Sequence, residues 1–227
     1  MRLIASNYTK VNEQLGLSFS GNYHHNDGFF TNLHTHKKAD KLDNGAGRIG
    51  LTWKPAAHWT TRFITSYEYS NQGGYPYGLY NADKGTTEAV NYNNEGLYRR
   101  NLLTSGINIR YNGPHISFNS QTSYQYIQDK MGIDQDFSPR NIFYGQNKIR
   151  QHMYCQEFTV KSVNKSRYHW ITGAFVFRQT INRKVDLSRF TDTTRHLTNS
   201  GIPTQGIAFY HQSTLDLLQG PVSYTHL

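Results

Sequence analysis

Alternation of polar and apolar residues recurs along this chain, and it constrains the fold more than any other feature. In Ser105 to Tyr111, for example, Ile107, Ile109 and Tyr111 are separated by small or polar residues. A period of two places neighbouring side chains on opposite faces of a β-strand, so each such segment predicts a strand with one apolar face. About nine strands are predicted in this way: Arg2 to Thr9, Leu15 to Tyr23, Arg48 to Trp53, Thr61 to Tyr69, Ser105 to Tyr111, Ile116 to Tyr126, Tyr154 to Ser162, Trp170 to Ile181 and Gly206 to Leu215.

The connections between these segments alternate in length. Turn-forming residues cluster in short connections at Lys10–Glu13, Lys54–His58, Asn112–Pro114 and Val163–Arg167. Long polar stretches lie between them, at Asn26–Asn44, Asn71–Arg100, Asp129–Arg150 and Asn182–Gln205. Such alternation is typical of an antiparallel up-and-down transmembrane β-barrel with periplasmic turns and extracellular loops. A soluble β-sandwich also has alternating strands, but it does not explain strictly alternating long loops.

The composition agrees with an all-β membrane protein. Hydrophobic residues make up 36% of the chain and the mean hydropathy is −0.72. No stretch approaches the roughly 20 apolar residues of a membrane helix, which excludes a helical membrane protein. A barrel tolerates this composition because only every second strand residue faces lipid. The aromatic content of 14% suits strands and interfacial belts.

The net charge of +9 does not indicate a nucleic-acid partner. The basic residues are scattered, as at Lys37, Lys38 and Lys184, and no nucleic-acid-binding motif is present. Cys155 is the single cysteine, so no disulfide can form within the chain.

Two motifs with a chemical meaning elsewhere are weak here. Gly45 to Gly50 matches GxGxxG, but it opens a strand where a dinucleotide fold needs a helix, so we interpret the glycines as small lumen-facing residues. His24, His25, His34 and His36 crowd the first long loop without the spacing of a metal motif, and we interpret them as solvated.

Enzymatic groups are not indicated either. Asp134 and Asp136 resemble the start of a calcium loop, but the glycine and closing glutamate are missing. No Gly-x-Ser-x-Gly elbow occurs, and no spacing pairs a nucleophile with a base. We therefore expect no enzyme activity, no metal site and no cofactor.

The long loops offer candidate ligand contacts instead. Tyr75, Tyr77 and Tyr80 present flat aromatic faces for stacking, and Arg99 and Arg100 present charge for carboxylates or phosphates. These five residues are the predicted ligand-binding positions.

Four short motifs follow one another in a characteristic order. Leu42–Pro55 reads as a barrel strand running into a turn, Gln156–Val160 begins with Gln-Glu, Trp170–Phe177 has the pattern Trp-x-x-Gly-x-x-x-Phe, and Gly206–Thr214 follows the next long stretch. In this succession the chain resembles the TonB-dependent outer-membrane receptors over most of Leu15 to Asp216.

The resemblance implies a function. Such receptors import ferric siderophores, cobalamin or other scarce nutrients across the outer membrane of Gram-negative bacteria. The resemblance favours an iron complex as the ligand here, with cobalamin and glycans as alternatives. It implies three partners: outer-membrane lipid, a small-molecule or metal-chelate ligand, and the TonB complex, which would act through segments of the full-length protein absent here. Two alternatives stay open, namely a passive porin and an outer-membrane hydrolase with a loop-borne active site.

Both ends of the sequence suggest a piece of a longer protein. The N-terminus turns polar too soon for a secretory signal, and neither the plug nor the coupling box of the family is visible. Residues 222–227 resemble a sequencing-adapter translation, so we assign residues 1–221 to the barrel domain. About nine of the roughly 22 strands of a plugged transporter would be present. We predict a partial barrel, curved and open, that transports nothing alone.

Overall fold

A computed structural model describes residues 1–163 and 166–217. The described residues contain no helix, and so none that is long and apolar enough to cross a membrane. Residues 222–227, predicted to derive from an adapter, lie outside the described part. The strands are β1 (Arg2–Lys10), β2 (Leu15–Asn26), β3 (Leu42–Trp53), β4 (Trp59–Gln72), β5 (Tyr80–Asn81), β6 (Thr86–Thr87), β7 (Leu97–Asn112), β8 (Ile116–Asp134), β9 (Phe143–Ser162), β10 (Tyr168–Arg189) and β11 (Thr194–Leu215).

Nine strands form one antiparallel sheet in the order β1-β2-β3-β4-β7-β8-β9-β10-β11, and β5 and β6 form a separate hairpin. Each strand of the large sheet pairs with the next one along the chain, which is the up-and-down topology that the sequence predicts. Among the described strands, β1 and β11 pair on one side only, so the sheet is not closed. The prediction of an open, partial β-barrel is confirmed.

The strand register joins the predicted apolar faces into one surface. Leu17 lies opposite Leu51, Leu51 opposite Phe63, and Phe63 opposite Ile107. Directly opposite residues project from the same side of a sheet. One face, the outward face, is therefore apolar across β2, β3, β4 and β7. The other, the lumen face, carries mostly polar and charged residues, among them Arg48, Arg62, Glu68, Arg110, Gln121 and Glu157.

Two aromatic belts border the apolar band of the outward face. The belt at the turn end includes Trp59 and Tyr111, whose ring centroids lie 5.0 Å apart. The belt nearer the loop end includes Tyr124 and Tyr154, whose centroids lie 4.7 Å apart. Aromatic belts mark the two interfaces of a membrane barrel. We define the upper tyrosine belt by Tyr67, Tyr124, Tyr126 and Tyr154, which register places on the outward face.

Two of the four predicted long loops are wrong. In the stretch predicted as a loop at Asp129–Arg150, β8 continues to Asp134 and β9 begins at Phe143. The stretch Asn182–Gln205 holds the ends of β10 and β11, joined only through residues 190–193. A strand crosses a bilayer in about 9 to 11 residues, and β11 has 22. Strand ends that carry polar residues on both faces lack apolar alternation and therefore read as loops.

The interpretation of the glycines in β3 also needs correction. Gly45 lies opposite Tyr23 and Tyr69, and Gly47 lies opposite Tyr67, so both face outward and not into the lumen. Small outward residues leave room for the rings of the neighbouring tyrosines. The strand context of the motif is as predicted, since all of Gly45 to Gly50 belongs to β3.

The sheet itself buries little. The buried hydrophobic residues of the described chain are Ala39, Val90 and Tyr92, which all lie in connections at the loop end. On the outward face, Phe63 is 36% exposed and Ile107 is 38% exposed. A continuous apolar surface of this kind requires cover by lipid or protein.

Replacing Ile107 with Lys should destabilise the chain in lipid vesicles by about 2 to 4 kcal/mol, because the charge would enter hydrocarbon. Ser123 lies on the lumen face, next to the residue that pairs with Ile107. Ser123→Lys is the matched control and should cost less than about 0.5 kcal/mol. Urea-dependent unfolding in vesicles, followed by tryptophan fluorescence, measures both. Equal losses would contradict the assignment of the two faces.

Candidate functional site

Four connections lie together at one end of the sheet: L1 (residues 27–41), L2 (73–96), L3 (135–142) and L4 (190–193). Asn32 joins L1 to L2. Its side chain is buried, and its Nδ2 donates to the carbonyl of Tyr92 at 2.8 Å. Its Oδ1 accepts from the amides of Tyr92 at 3.2 Å and His34 at 3.0 Å. Because these bonds are buried, leaving them unmade would cost free energy, and the two loops behave as one unit.

An apolar cluster packs beneath this junction. Ala39, Val90 and Tyr92 form it, and the amide of Leu33 donates to the carbonyl of Val90 at 2.9 Å. Gly73, at the start of L2, lies directly against the carbonyl oxygen of Ala39, where a Cβ atom would overlap that oxygen. The close approach of L1 and L2 therefore requires glycine at this position.

L2 is fastened in turn to L3. The amide of Asn94 donates to the Asp134 carboxylate at 3.1 Å, and the amide of Asn93 donates to the Ser138 carbonyl at 3.2 Å. Asp134 is 2% exposed and also accepts from the amide of Phe137 at 3.2 Å. Asp134, one of the two acidic residues that resemble the start of a calcium loop, therefore joins L3 to L2 by hydrogen bonds.

L4 completes a connected set of loops, L1 to L4, which we call the rim. The amide of Phe190 donates to the carbonyl of Ile142 in L3 at 2.9 Å. Within L4, hydrogen bonding from Thr194 lowers the pKa of the Asp192 carboxyl below its ordinary value. Backbone and side-chain bonds thus link all four connections, and ligand contacts on this rim would be held in place.

A pocket of about 190 Å³ opens between L1 and L2. Lys37, Lys38, Lys41 and Arg99 line it, together with one acid, Glu95. The Lys37 ammonium pairs with Glu95 at 2.8 Å, and the Lys38 ammonium donates to a backbone carbonyl at 3.1 Å. The Lys41 ammonium has no hydrogen bond or ion pair within residues 1–163 and 166–217. This excess of positive charge suits an anionic ligand.

Thr35 and Tyr92 also line this pocket, but their hydroxyl oxygens are buried and have no hydrogen-bond partner in the described chain. Burial raises the pKa of the Tyr92 hydroxyl. The groups that can meet a ligand in the pocket are therefore its basic side chains, and these suit an oxygen-rich anion.

The three predicted loop tyrosines are partly brought together. The rings of Tyr75 and Tyr77 lie 5.7 Å apart, and the Tyr77 ring lies 5.2 Å from Phe137 of L3. Tyr75 is 53% exposed, so it remains open to a stacking ligand. Tyr80 belongs to β5 and is 68% exposed.

The two predicted arginines point to opposite faces because they are adjacent in β7. Arg99 faces outward, lines the pocket, and its Nε donates to Asn71 at 3.0 Å. Arg100 faces the lumen and binds Asp129 with two hydrogen bonds, of 2.9 and 2.7 Å. Its guanidinium also stacks over Tyr98. A ligand that contacts Arg99 would therefore lie on the outward side of the sheet, and a ligand that contacts Arg100 would lie on the lumen side.

Among the residues of this pocket that sequence reasoning missed are Asn32, Thr35, Lys41 and Tyr92. None belongs to a motif, and Tyr92 lies 60 residues from its partner Asn32. The loop histidines follow a different arrangement, since His25 contacts Asp43 at 2.7 Å and Asp27 at 2.8 Å. The described residues hold no group of three or more His, Cys, Asp or Glu that could bind a metal ion.

Gly73→Ala should separate L1 from L2, because the new methyl group would overlap the Ala39 carbonyl. Overpacking of this kind costs about 1 to 3 kcal/mol. The measurement is trypsin cleavage in L1, which should accelerate at least about fivefold as local opening becomes easier. Gly47→Ala is the control, since a Cβ atom there meets nothing within 4 Å. Unchanged L1 cleavage in Gly73→Ala would refute the proposed packing.

Comparison with known proteins finds a likeness of fold. No protein-family model and no curated protein matches the chain. Among solved structures, 21 chains match. One is the ferric yersiniabactin uptake receptor FyuA from Yersinia pestis, with a TM-score of 0.70 and 13% sequence identity. The match covers 93% of this chain and 40% of the FyuA chain, so this chain spans less than half of that receptor. Its nine-stranded sheet is an open part of a β-barrel like that of FyuA.

Proposed function

We propose that this chain is part of an outer-membrane receptor that takes up a scarce nutrient, a ferric siderophore or another iron complex, by TonB-coupled active transport. One observation carries the proposal: a barrel sheet like that of an iron-chelate receptor ends in a fastened rim that encloses a cationic pocket.

The pocket chemistry supports a chelate as ligand. Ferric complexes with carboxylate, catecholate or hydroxamate oxygens expose many acceptors and often carry negative charge. Lys41 and Arg99 supply charge and hydrogen-bond donors to such a surface. The exposed ring of Tyr75 lies nearby on L2 and could stack on a flat aromatic ligand.

The two faces of the sheet support an outer-membrane location. An apolar outward face between two aromatic belts belongs in a bilayer, and long connections at one end belong outside the cell. We therefore assign the chain to the outer membrane of a Gram-negative bacterium, with lipid as its first partner. Coupling to TonB would use the plug and coupling box of the full-length protein, which are the family features that the sequence resemblance implies.

The decisive experiment expresses the complete gene in an iron-starved Gram-negative host that lacks its own chelate receptors. Radioactive iron supplied as a panel of ferric chelates should enter the cells only when TonB is active. Uptake that persists without TonB would indicate a passive porin, and absence of uptake for every chelate would reject the iron ligand.

The pocket can be tested separately by binding. In the receptor, Lys41→Gln combined with Arg99→Gln should weaken binding of the transported chelate by about tenfold or more, because charged hydrogen bonds each contribute about 1.5 to 3 kcal/mol. Lys84→Gln is the control, since Lys84 is exposed in the β5–β6 hairpin outside the pocket. Quenching of tryptophan fluorescence gives the dissociation constants. Equal affinities would place the ligand elsewhere.

A further inference from the structure

His25, near the end of β2, contacts two carboxylates with its two ring nitrogens. Its Nδ1 lies 2.7 Å from the Asp43 carboxylate, and its Nε2 lies 2.8 Å from the Asp27 carboxylate. Asp43 also accepts a hydrogen bond of 2.7 Å from the Tyr23 hydroxyl. Only the imidazolium form of histidine can donate from both nitrogens. The arrangement therefore fits a protonated His25, and deprotonation removes one of its two donors.

This cluster lies on the loop side of the upper tyrosine belt. Asp43 pairs with His25 across β2 and β3, and Gly47, four residues later in β3, lies opposite Tyr67 of that belt. At about 3.3 Å per residue and a strand tilt near 45°, the cluster is roughly 9 Å beyond the belt. The His25 side chain is 36% exposed, so its ring can exchange protons with water.

Its neighbours favour the protonated form of His25. Hydrogen bonding to Asp43, and then to Asp27, raises the pKa of His25 above its ordinary value. The contact with His25, followed by the bond from Tyr23, holds the pKa of the Asp43 carboxyl below its ordinary value. Because the pKa of His25 is raised, its ion pairs are fully present below the ordinary histidine pKa of about 6.5 and are lost as the pH rises through the raised value.

The neighbouring strands add no further charge to the ring. On β1, the Met1 amino group donates to the backbone carbonyl of His25 at 2.7 Å, and Arg2 belongs to the lumen face. On β4, Asn71 lies opposite Asp43 and is uncharged. The cation that shares Asp43 with His25 must therefore come from L1.

Lys41, the last residue of L1, is this second cation. It precedes Asp43 by two residues, and its carbonyl accepts from the Gly73 amide at 2.9 Å, which continues the pairing of β3 with β4. Residues two apart in a strand share a face and lie about 6.6 Å apart. Hydrogen bonding from His25 lowers the pKa of Asp43 most, and the charge of Lys41 lowers it further. Lys41 also lines the cationic pocket, so it lies between the cluster and the pocket.

We propose that His25 acts as a proton-dependent switch that sets whether Lys41 is available to ligands of the pocket. When His25 is protonated it holds Asp43, and the Lys41 ammonium remains free to meet an anion. When His25 is neutral, Asp43 attracts Lys41, and the pocket loses part of its positive charge. The pocket therefore binds anions more tightly in acid than in alkali. This inference rests on the proposed function of the pocket and concerns the regulation of that same site.

The test measures how available Lys41 is, without any iron chelate. The complete receptor in detergent micelles is acetylated with an N-hydroxysuccinimide ester at about pH 5.5 and at about pH 9, on either side of the ordinary histidine pKa. Peptide mass spectrometry gives the acetylation of Lys41 relative to that of Lys84, an exposed lysine outside the pocket, which cancels the effect of pH on the reagent. An ion-paired lysine stays protonated and reacts more slowly, so this ratio should be about two- to threefold higher in acid.

Two variants should move the ratio in opposite directions. His25→Gln carries no charge, so Lys41 should react slowly at both pH values. Asp43→Asn removes the acid for which the two cations compete, so Lys41 should react fast at both. His34→Gln is the control, since His34 is exposed in the same loop and is not a partner of Asp43, and it should keep the original response. Circular dichroism checks the folding of each variant.

Three results would overturn the proposal: a Lys41 ratio that is the same at both pH values in the original receptor, a pH response that persists in His25→Gln or Asp43→Asn, or a response that is lost equally in His34→Gln. Failure of the proposed function gives a different result. In that case the Lys41 response would remain as expected, while the double variant of Lys41 and Arg99 would bind the transported chelate with unchanged affinity.

Discussion

Backbone hydrogen bonds between neighbouring antiparallel strands are the interaction on which everything else in this structure depends. In hydrocarbon each unpaired amide or carbonyl costs several kcal/mol, so strands can enter a bilayer only when paired along their length. The ladders from β1 to β11 meet this requirement at every internal strand, and their register fixes which side chains share a face. A slip by one residue in any pair would exchange Ile107 and Leu51 with polar neighbours. The apolar band, the aromatic belts and the polar lumen face are therefore consequences of one pairing pattern.

The loop end follows a different principle. There the strands have ended, and side-chain hydrogen bonds replace the sheet as the interaction that orders the chain. Asn32 and Asp134 are the central residues, because each is almost fully buried and binds backbone groups of a second connection. Connections that are joined in this way can hold a pocket open, and three lysines and Arg99 line that pocket. The comparison with FyuA shows a likeness of fold at 13% sequence identity, so the ligand must be established from the pocket's own chemistry.

Strand pairing also determines how the charged residues are divided between the two faces of the sheet, which the composition does not show. Arg99 and Arg100 are neighbours in sequence, yet Arg99 faces outward, opposite Lys130, and Arg100 forms an ion pair on the lumen face. Register also places Lys130, Lys148 and Lys184 in one line across β8, β9 and β10, so the basic residues that give the chain its charge of +9 are partly gathered on one face. Like charges in directly opposite positions destabilise a sheet.

The sequence by itself determined the all-β class, the up-and-down order and the facing of strands such as Ser105 to Tyr111, because a period of two is visible wherever one face is apolar and the other polar. It did not reveal the outer ends of β8 to β11, since strands that are polar on both faces lose that period and read as loops. It also could not place Gly45 and Gly47, whose facing depends on register with Tyr67 and Tyr69 across the sheet. The pocket was decided by tertiary structure alone, because Lys41 and Tyr92 line one cavity only when distant segments pack together.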